Sequence, residues 1–322
     1  MPKINLAVYW TAACGGCDVA ILDTQEKILQ VGELANIVLW PLATDGKYAD
    51  LDKFKSGDID VCLFHGSIRL SEQEAMARLL REKSKVLIAF GACAAFGGIP
   101  GLANFHRREE IFHRAYHETP STSNPNGIIP ETQVRVPEGT LTLPEFYDQV
   151  YSLDQIVPVD YYLPGCPPPV HLIEAAIDAI ATGELPPKGS VIAGDKSLCH
   201  ECPREKQEKK VQGFKRPHEV MVDPNRCLLE QGIICNGPST RSGCGARCTT
   251  VNMPCRGCFG PAPEVLDPGA KLVSSTASIM DANDEASVAE MIGTVVDPAG
   301  LFYRFGLPSS MLQKKRQGGK VS

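Results

Sequence analysis

Along the first 185 or so residues, short continuous apolar runs alternate with amphipathic stretches. The runs Ile4 to Trp10, Ala35 to Pro41, Asp60 to Gly66, Lys85 to Gly91 and Val157 to Leu163 predict β-strands. Their unbroken apolar character suits a parallel sheet covered on both faces. Between them, Asp18 to Val31, Ser71 to Glu82 and Pro169 to Thr182 carry helical spacing, with Val170, Ile173, Ile177 and Ile180 recurring on one face of the last. The connection from Ile99 to Gln155 is rich in Pro, Ser, Thr and Asn, carries a helical patch around Arg107 to Tyr116, and has the length of a functional or interface-forming insertion.

The alternation predicts an α/β fold, a flavodoxin-like doubly wound parallel sheet over residues 1–190. Residues 191–322 read differently. From Asp195 to Pro263 strand and helix signals nearly vanish, while eight cysteines appear among many Gly, Pro and charged residues. Such a segment cannot close a hydrophobic core unaided, so something inorganic should hold it together. Helical patterns return at Ala270 to Met280 and Glu285 to Val296, before a basic tail, QKKRQGGKVS, that reads as a frayed end.

Composition narrows the chemistry. A chain of 322 residues with 43% apolar residues buries a large core without disulfides, so thirteen cysteines need another reason. No secretory signal and no apolar run approaching about 18 residues is visible, which predicts a cytoplasmic protein without a membrane span, where thiols stay reduced. Reduced cysteines in clusters point to metal. A net charge of -6 offers no basic field for nucleic acid, and no basic amphipathic segment suggests a membrane surface.

Four of the first five cysteines sit just past predicted strand ends: Cys14 and Cys17 after the first strand, Cys93 after VLIAFGAC, and Cys166 after VDYYLPGC. In open α/β sheets the binding crevice lies at the carboxyl ends of the strands, so these four converge on one edge and make a metal site. Glycines beside them (Gly15, Gly16, Gly91, Gly165) let backbone approach, and Pro167 to Pro169 stiffen the last loop. Cys62, inside DVCLFHG, reads as a core residue. The other eight, Cys199, Cys202, Cys227, Cys235, Cys244, Cys248, Cys255 and Cys258, divide into two further sets of four. Zinc is the rival to iron–sulfur, but the distance from Cys202 to Cys255 far exceeds the roughly 15 to 20 residues of a ribbon gap. His200 reads as a solvated loop histidine, and Asp18 as a helix-start carboxylate favoured by the dipole, with a proton path as its other role.

CGGC, GACAAFGG and LPGCPPP, followed by CHEC, RCLLEQGIICNGPSTRSGCGARC and PCRGC, resemble the small subunit of nickel–iron hydrogenases, with the motifs in the same order to about Pro263. The related subunit of respiratory complex I is similar to the first domain only and has adjacent cysteines in place of C-x-x-C. The resemblance implies a proximal cluster on Cys14, Cys17, Cys93 and Cys166, a distal cluster on Cys199, Cys202, Cys227 and Cys235, and a medial cluster on Cys244, Cys248, Cys255 and Cys258. Two departures from many relatives, Cys199 in place of histidine and a fourth medial cysteine, Cys248, imply three all-thiolate 4Fe-4S clusters of low potential. No nickel site, nucleotide fingerprint or catalytic triad is visible. The resemblance therefore implies an oxidoreductase subunit that conducts electrons from dihydrogen, oxidised at the nickel–iron site of a partner large subunit. The Ile99 to Gln155 connection would touch that partner. The acceptor would be an iron–sulfur or flavin-containing subunit of the heterodisulfide reductase-linked type. A dihydrogen-sensing small subunit and a zinc-stabilised scaffold are the other readings.

Overall fold

The computed structural model describes residues 3–207 and 210–313, so all of the basic tail after Gln313 lies outside the described residues. In chain order the regular elements are β1 (Ile4–Trp10), α1 (Gly16–Leu22), α2 (Lys27–Leu34), β2 (Ala35–Leu39), β3 (Ile59–His65), β4 (Ile68–Leu70), α3 (Ser71–Lys83), β5 (Ser84–Phe90) and α4 (Gly91–Phe96). They continue with α5 (Arg108–His113), β6 (Gln133–Val136), β7 (Gly139–Thr142), β8 (Phe146–Tyr151), β9 (Tyr161–Leu163), α6 (Val170–Thr182), α7 (Pro268–Ala277), α8 (Glu285–Gly293) and α9 (Pro298–Phe302).

The main sheet is parallel throughout, in the order β2-β1-β3-β5-β9. That is the flavodoxin-like doubly wound arrangement. Alternate residues of each strand face opposite sides. Ala7, Tyr9, Cys62, Phe64, Leu87 and Ala89 meet Met76, Ala77 and Leu80 of α3 on one face. Leu6, Val8, Val61, Ile88 and Phe90 meet Ile21 of α1 and Ile173 of α6 on the other. Because both faces are covered, the strands could be apolar at every position, which is why they were visible in the sequence.

Differences from the sequence pattern have local causes. The single helix expected over Asp18 to Val31 is two, because Thr24 turns its hydroxyl onto the Ile21 carbonyl at 2.7 Å and Gln25 takes a φ of 52° that no helix tolerates. The last strand is only three residues long; Val157 is buried in the core instead, and Pro158 has no N–H to give a ladder. The long connection holds three strands that the pattern did not predict. β8 pairs antiparallel with β4, and β6 and β7 form a hairpin whose residues are almost all exposed, although Val134, Val136 and Leu141 alternate with polar residues along it.

Among the described residues of 195–263, regular structure is limited to single turns of helix and isolated β-bridges, as their composition implied. Their order comes from side chains reaching between loops. Arg204 is buried and donates to the carbonyls of Thr249 at 2.8 Å, Asp223 at 2.7 Å and Arg226 at 2.9 Å. The end of the chain then returns to the first sheet: Gly98 N–H donates to Phe305 O at 3.0 Å, and a Cβ on Gly97 would stand 2.2 Å from the Pro308 ring.

Cys62 is fully buried and opposite Ala7 and Leu87 in the sheet register. Cys62→Ala should lower stability by about 1 kcal/mol, against about 2 to 5 kcal/mol for Leu87→Ala, as measured by anaerobic urea unfolding. A loss at Cys62 as large as that at Leu87 would show that Cys62 does more than fill space.

Candidate metal centres

Each N-terminal cysteine stands where a strand hands over to a turn or helix at the carboxyl edge of the sheet. β1 ends at Trp10, and Gly15, at φ 82°, starts the short helix that carries Cys17. β5 runs directly into α4, with Cys93 in its first turn. Cys166 follows β9 and precedes a cis peptide bond to Pro167. The four thiols converge. Burial first, then the charges of Cys93, Cys166 and Cys14, push the Cys17 thiol well above its ordinary range. Burial, with Cys166 and Cys14 beside it, pushes Cys93 up to about 12.

The backbone around this set is cut close to the sulfurs. A Cβ on Gly91 would stand 2.5 Å from Cys17 Sγ, and one on Gly98 2.5 Å from Cys93 Sγ. Both residues have positive φ, so conformation and space each ask for glycine. Cys17 and Cys93 are buried, whereas Cys14 and Cys166 are exposed, so the set opens outward.

Cys199, Cys202, Cys227 and Cys235 all line one cavity of about 160 Å³, walled by Leu198, Leu228 and Ile279. Burial pushes Cys235 up to about 12, and neighbouring Cys199 and Cys227 add to it. An apolar cavity with four thiols on its wall fits a thiolate-held cluster, and metal binding there must release thiol protons. In the third set, burial and then the charges of Cys166, Cys244 and Cys248 raise Cys258 to about 12, and Cys258 in turn acts on Cys255. Cys258 thus lies within electrostatic reach of the other three members of its set.

The three sets also touch each other. Cys166 neighbours Cys258: its charge raises the Cys258 thiol and its backbone moderates that shift. The Cys255 backbone N–H donates to Cys235 Sγ at 3.3 Å. The order in space is therefore Cys166 to Cys258, then Cys255 to Cys235, with the set of latest sequence position in the middle. Among the described residues, no three His, Cys, Asp or Glu side chains lie close enough to share a single ion. A cubane asks for a looser set, because each thiolate binds a different iron.

His200 is exposed, its Nδ1 3.0 Å from Ser197 Oγ, as expected of a loop histidine. Asp18 stands in the first turn of α1, as expected, and is also paired in the core. It is almost fully buried, accepts from Trp40 Nε1 at 2.8 Å and lies 3.0 Å from His65 Nε2. Although burial opposes it, these partners hold its carboxyl below the usual range. Asp18 is thus a helix-start carboxylate that is also buried and paired with Trp40 and His65, next to Cys17. His65 at the end of β3 gave no signal of this, since a histidine closing an apolar strand looks like any strand terminus.

Known proteins match the chain over nearly its whole length. A family described as NADH ubiquinone oxidoreductase, 20 Kd subunit, matches residues 14–180. The iron-sulfur subunit of the F420-non-reducing hydrogenase of Archaeoglobus profundus is 42% identical, over 97% of this chain and 98% of that one. A subunit of the F420-non-reducing hydrogenase of Methanothermobacter thermautotrophicus is 36% identical, over 98% of both chains. A NiFeSe hydrogenase structure from Desulfovibrio vulgaris Hildenborough aligns with a TM-score of 0.51 at 17% identity, covering 82% of this chain and 95% of that one, which is a likeness of fold. On full-length identity and on fold together, the chain belongs to the hydrogenase small-subunit family, in the group of F420-non-reducing hydrogenase iron-sulfur subunits.

Proposed function

We propose that this chain relays electrons from dihydrogen, oxidised at the nickel–iron site of a partner large subunit, through three 4Fe-4S clusters to a low-potential acceptor. Cys14, Cys17, Cys93 and Cys166 would hold the proximal cluster, Cys244, Cys248, Cys255 and Cys258 the medial one, and Cys199, Cys202, Cys227 and Cys235 the distal one. Bound clusters supply one-electron carriers whose potentials follow from charge, hydrogen bonds and burial. The observation that carries the reading is the succession of neighbours between sets: Cys166 stands beside Cys258, and the Cys255 N–H donates to Cys235 Sγ at 3.3 Å, as a relay of three ligand sets would require.

The chain's own contribution is placement and insulation. The buried members of each set exclude water, and Gly91 and Gly98 let the backbone close on the sulfurs. The proximal set opens outward through Cys14 and Cys166, beside exposed Trp10, Val19 and Leu22, a surface suited to burial against the large subunit. The hairpin of β6 and β7, with exposed Val134 and Leu141, is a second contact surface in the Ile99 to Gln155 connection. At the distal end the acceptor would be an iron–sulfur or flavin-containing subunit. The reading keeps a division into residues 1–190 and 191–322, and a cytoplasmic address, where thiols stay reduced. No helix among the described residues is long and apolar enough to cross a membrane.

Purified anaerobically with a nickel-containing partner chain, the protein should be brown and carry roughly twelve iron atoms per small chain, by four irons and four cysteines per cluster. Stoichiometric zinc with little iron would reject the reading. A second prediction concerns Cys248, which is exposed and adjacent to Cys258. Cys248→Ser should cost about one iron per chain and leave a three-iron cluster, paramagnetic when oxidised and higher in potential. An unchanged electron paramagnetic resonance spectrum and iron count would remove Cys248 from the ligand set.

A further inference from the structure

Between the two cysteines of the C-x-x-C at 199–202 stands a carboxylate that serves a different set. Glu201 Oε2 accepts from the Gly243 N–H at 3.0 Å. Its Oε1 accepts from the N–H groups of Cys244 at 3.2 Å and Ala246 at 3.3 Å, and lies 3.5 Å from Cys244 Sγ. The receiving loop is shaped for an anion. Gly243, Gly245 and Ala246 have φ values of 111°, 67° and 51°, a succession that turns backbone N–H groups toward one concave side. Positive φ is uncommon for alanine, so this shape is held against a local cost.

The two segments that meet here are already aligned. Leu198 N–H donates to Thr240 O at 2.8 Å, Ser242 N–H to Lys196 O at 2.9 Å and Gly194 N–H to Ser242 O at 3.0 Å. Residues 194–198 and 240–242 thus run antiparallel, and the helical turn at Leu198–His200 carries Glu201 back to form a separate rung to the loop at 243–246. His171 of α6 steadies the same loop from the first sheet, with Nε2 3.1 Å from Gly243 O.

We propose that Glu201 is a positioning residue that ties the distal ligand loop to the medial one, fixing Cys244 for the medial cluster and keeping that cluster's reduction potential low. The proposal rests on the three-cluster reading above. Two physical effects act in the same direction. A negative charge beside the Cys244 sulfur makes addition of an electron to the adjoining cluster less favourable. The carboxylate also occupies three amides that could otherwise donate to cluster sulfurs, and such hydrogen bonds set cluster potentials. The medial site is therefore built partly by a residue of the distal motif, and the two do not assemble independently.

The test is a redox titration of the anaerobic complex, followed by electron paramagnetic resonance with iron analysis, for the parent and for Glu201→Gln and Glu201→Ala. Glu201→Gln keeps the size and removes the charge, and its single amide oxygen can still accept from Cys244 and Ala246 N–H while the bond from Gly243 N–H is lost. Its iron content should equal the parent's, and its medial reduction equilibrium should shift about tenfold toward the reduced state, which for one electron is about 59 mV upward. Glu201→Ala removes the rung as well, and should lose about a third of the iron with the medial signal, while proximal and distal signals persist. Variants with the parent's iron content and medial potential would overturn this inference alone. A parent with no cluster at the Cys244 set would overturn the three-cluster reading, and this inference with it.

Discussion

The contact between neighbouring cysteine sets is the constraint on which the rest of the molecule depends. Cys166 stands beside Cys258 and joins the sheet edge to the irregular region, and the Cys255 N–H, donating to Cys235 Sγ at 3.3 Å, joins the middle of that region to its far end. The loop at 255–258 therefore meets both the carboxyl edge of the sheet and the cavity of the 199–235 set. The parallel sheet supplies the fixed end of this succession. The returning chain, with Phe305 O bonded to Gly98 N–H, holds the other elements against it.

Burial does two opposed things in this arrangement. It raises the thiols of Cys17, Cys93, Cys235 and Cys258, so they resist ionisation until metal displaces their protons. It also strengthens every dipole and charge near the sulfurs, because little water is left to screen them. That is why single polar groups such as Glu201 at Cys244 carry weight here that they would not carry on an exposed surface. The region at 195–263 has little regular structure with which to resist change. Its order rests on such contacts, including the three carbonyls gathered by Arg204, and on whatever the thiols bind.

Much of this was legible in the sequence, for physical reasons that can be named. Strands covered on both faces are apolar throughout, so β1, β3 and β5 stood out, and with them the strand ends that place Cys14, Cys17, Cys93 and Cys166. Cys62 was separable from that set because it lies inside β3 and not after it. The exposed hairpin of β6 and β7 carries only a short alternation, Val134 and Val136 then Leu141, set within a long polar connection that masked it, and the break between α1 and α2 depends on one hydroxyl and one left-handed residue. Asp18 and His65 are 47 positions apart, and Glu201 and Cys244 are 43 apart, so neither pairing has a local signature. The order of the sets in space, with the last set in sequence at the middle, came from motif resemblance and from no property of the residues themselves. The contacts of Cys258 and Cys255 supply its physical cause.

The central claim is that three separate multi-iron centres lie in a file, in the order those contacts between sets imply. Anomalous X-ray scattering at the iron edge, from anaerobically grown crystals of the complex, tests it most directly. The account predicts three iron peaks in this chain, one within each cysteine set, with the peak at Cys244, Cys248, Cys255 and Cys258 between the other two. A single-atom peak at the zinc edge within any set, or an iron peak missing from the middle position, would contradict it.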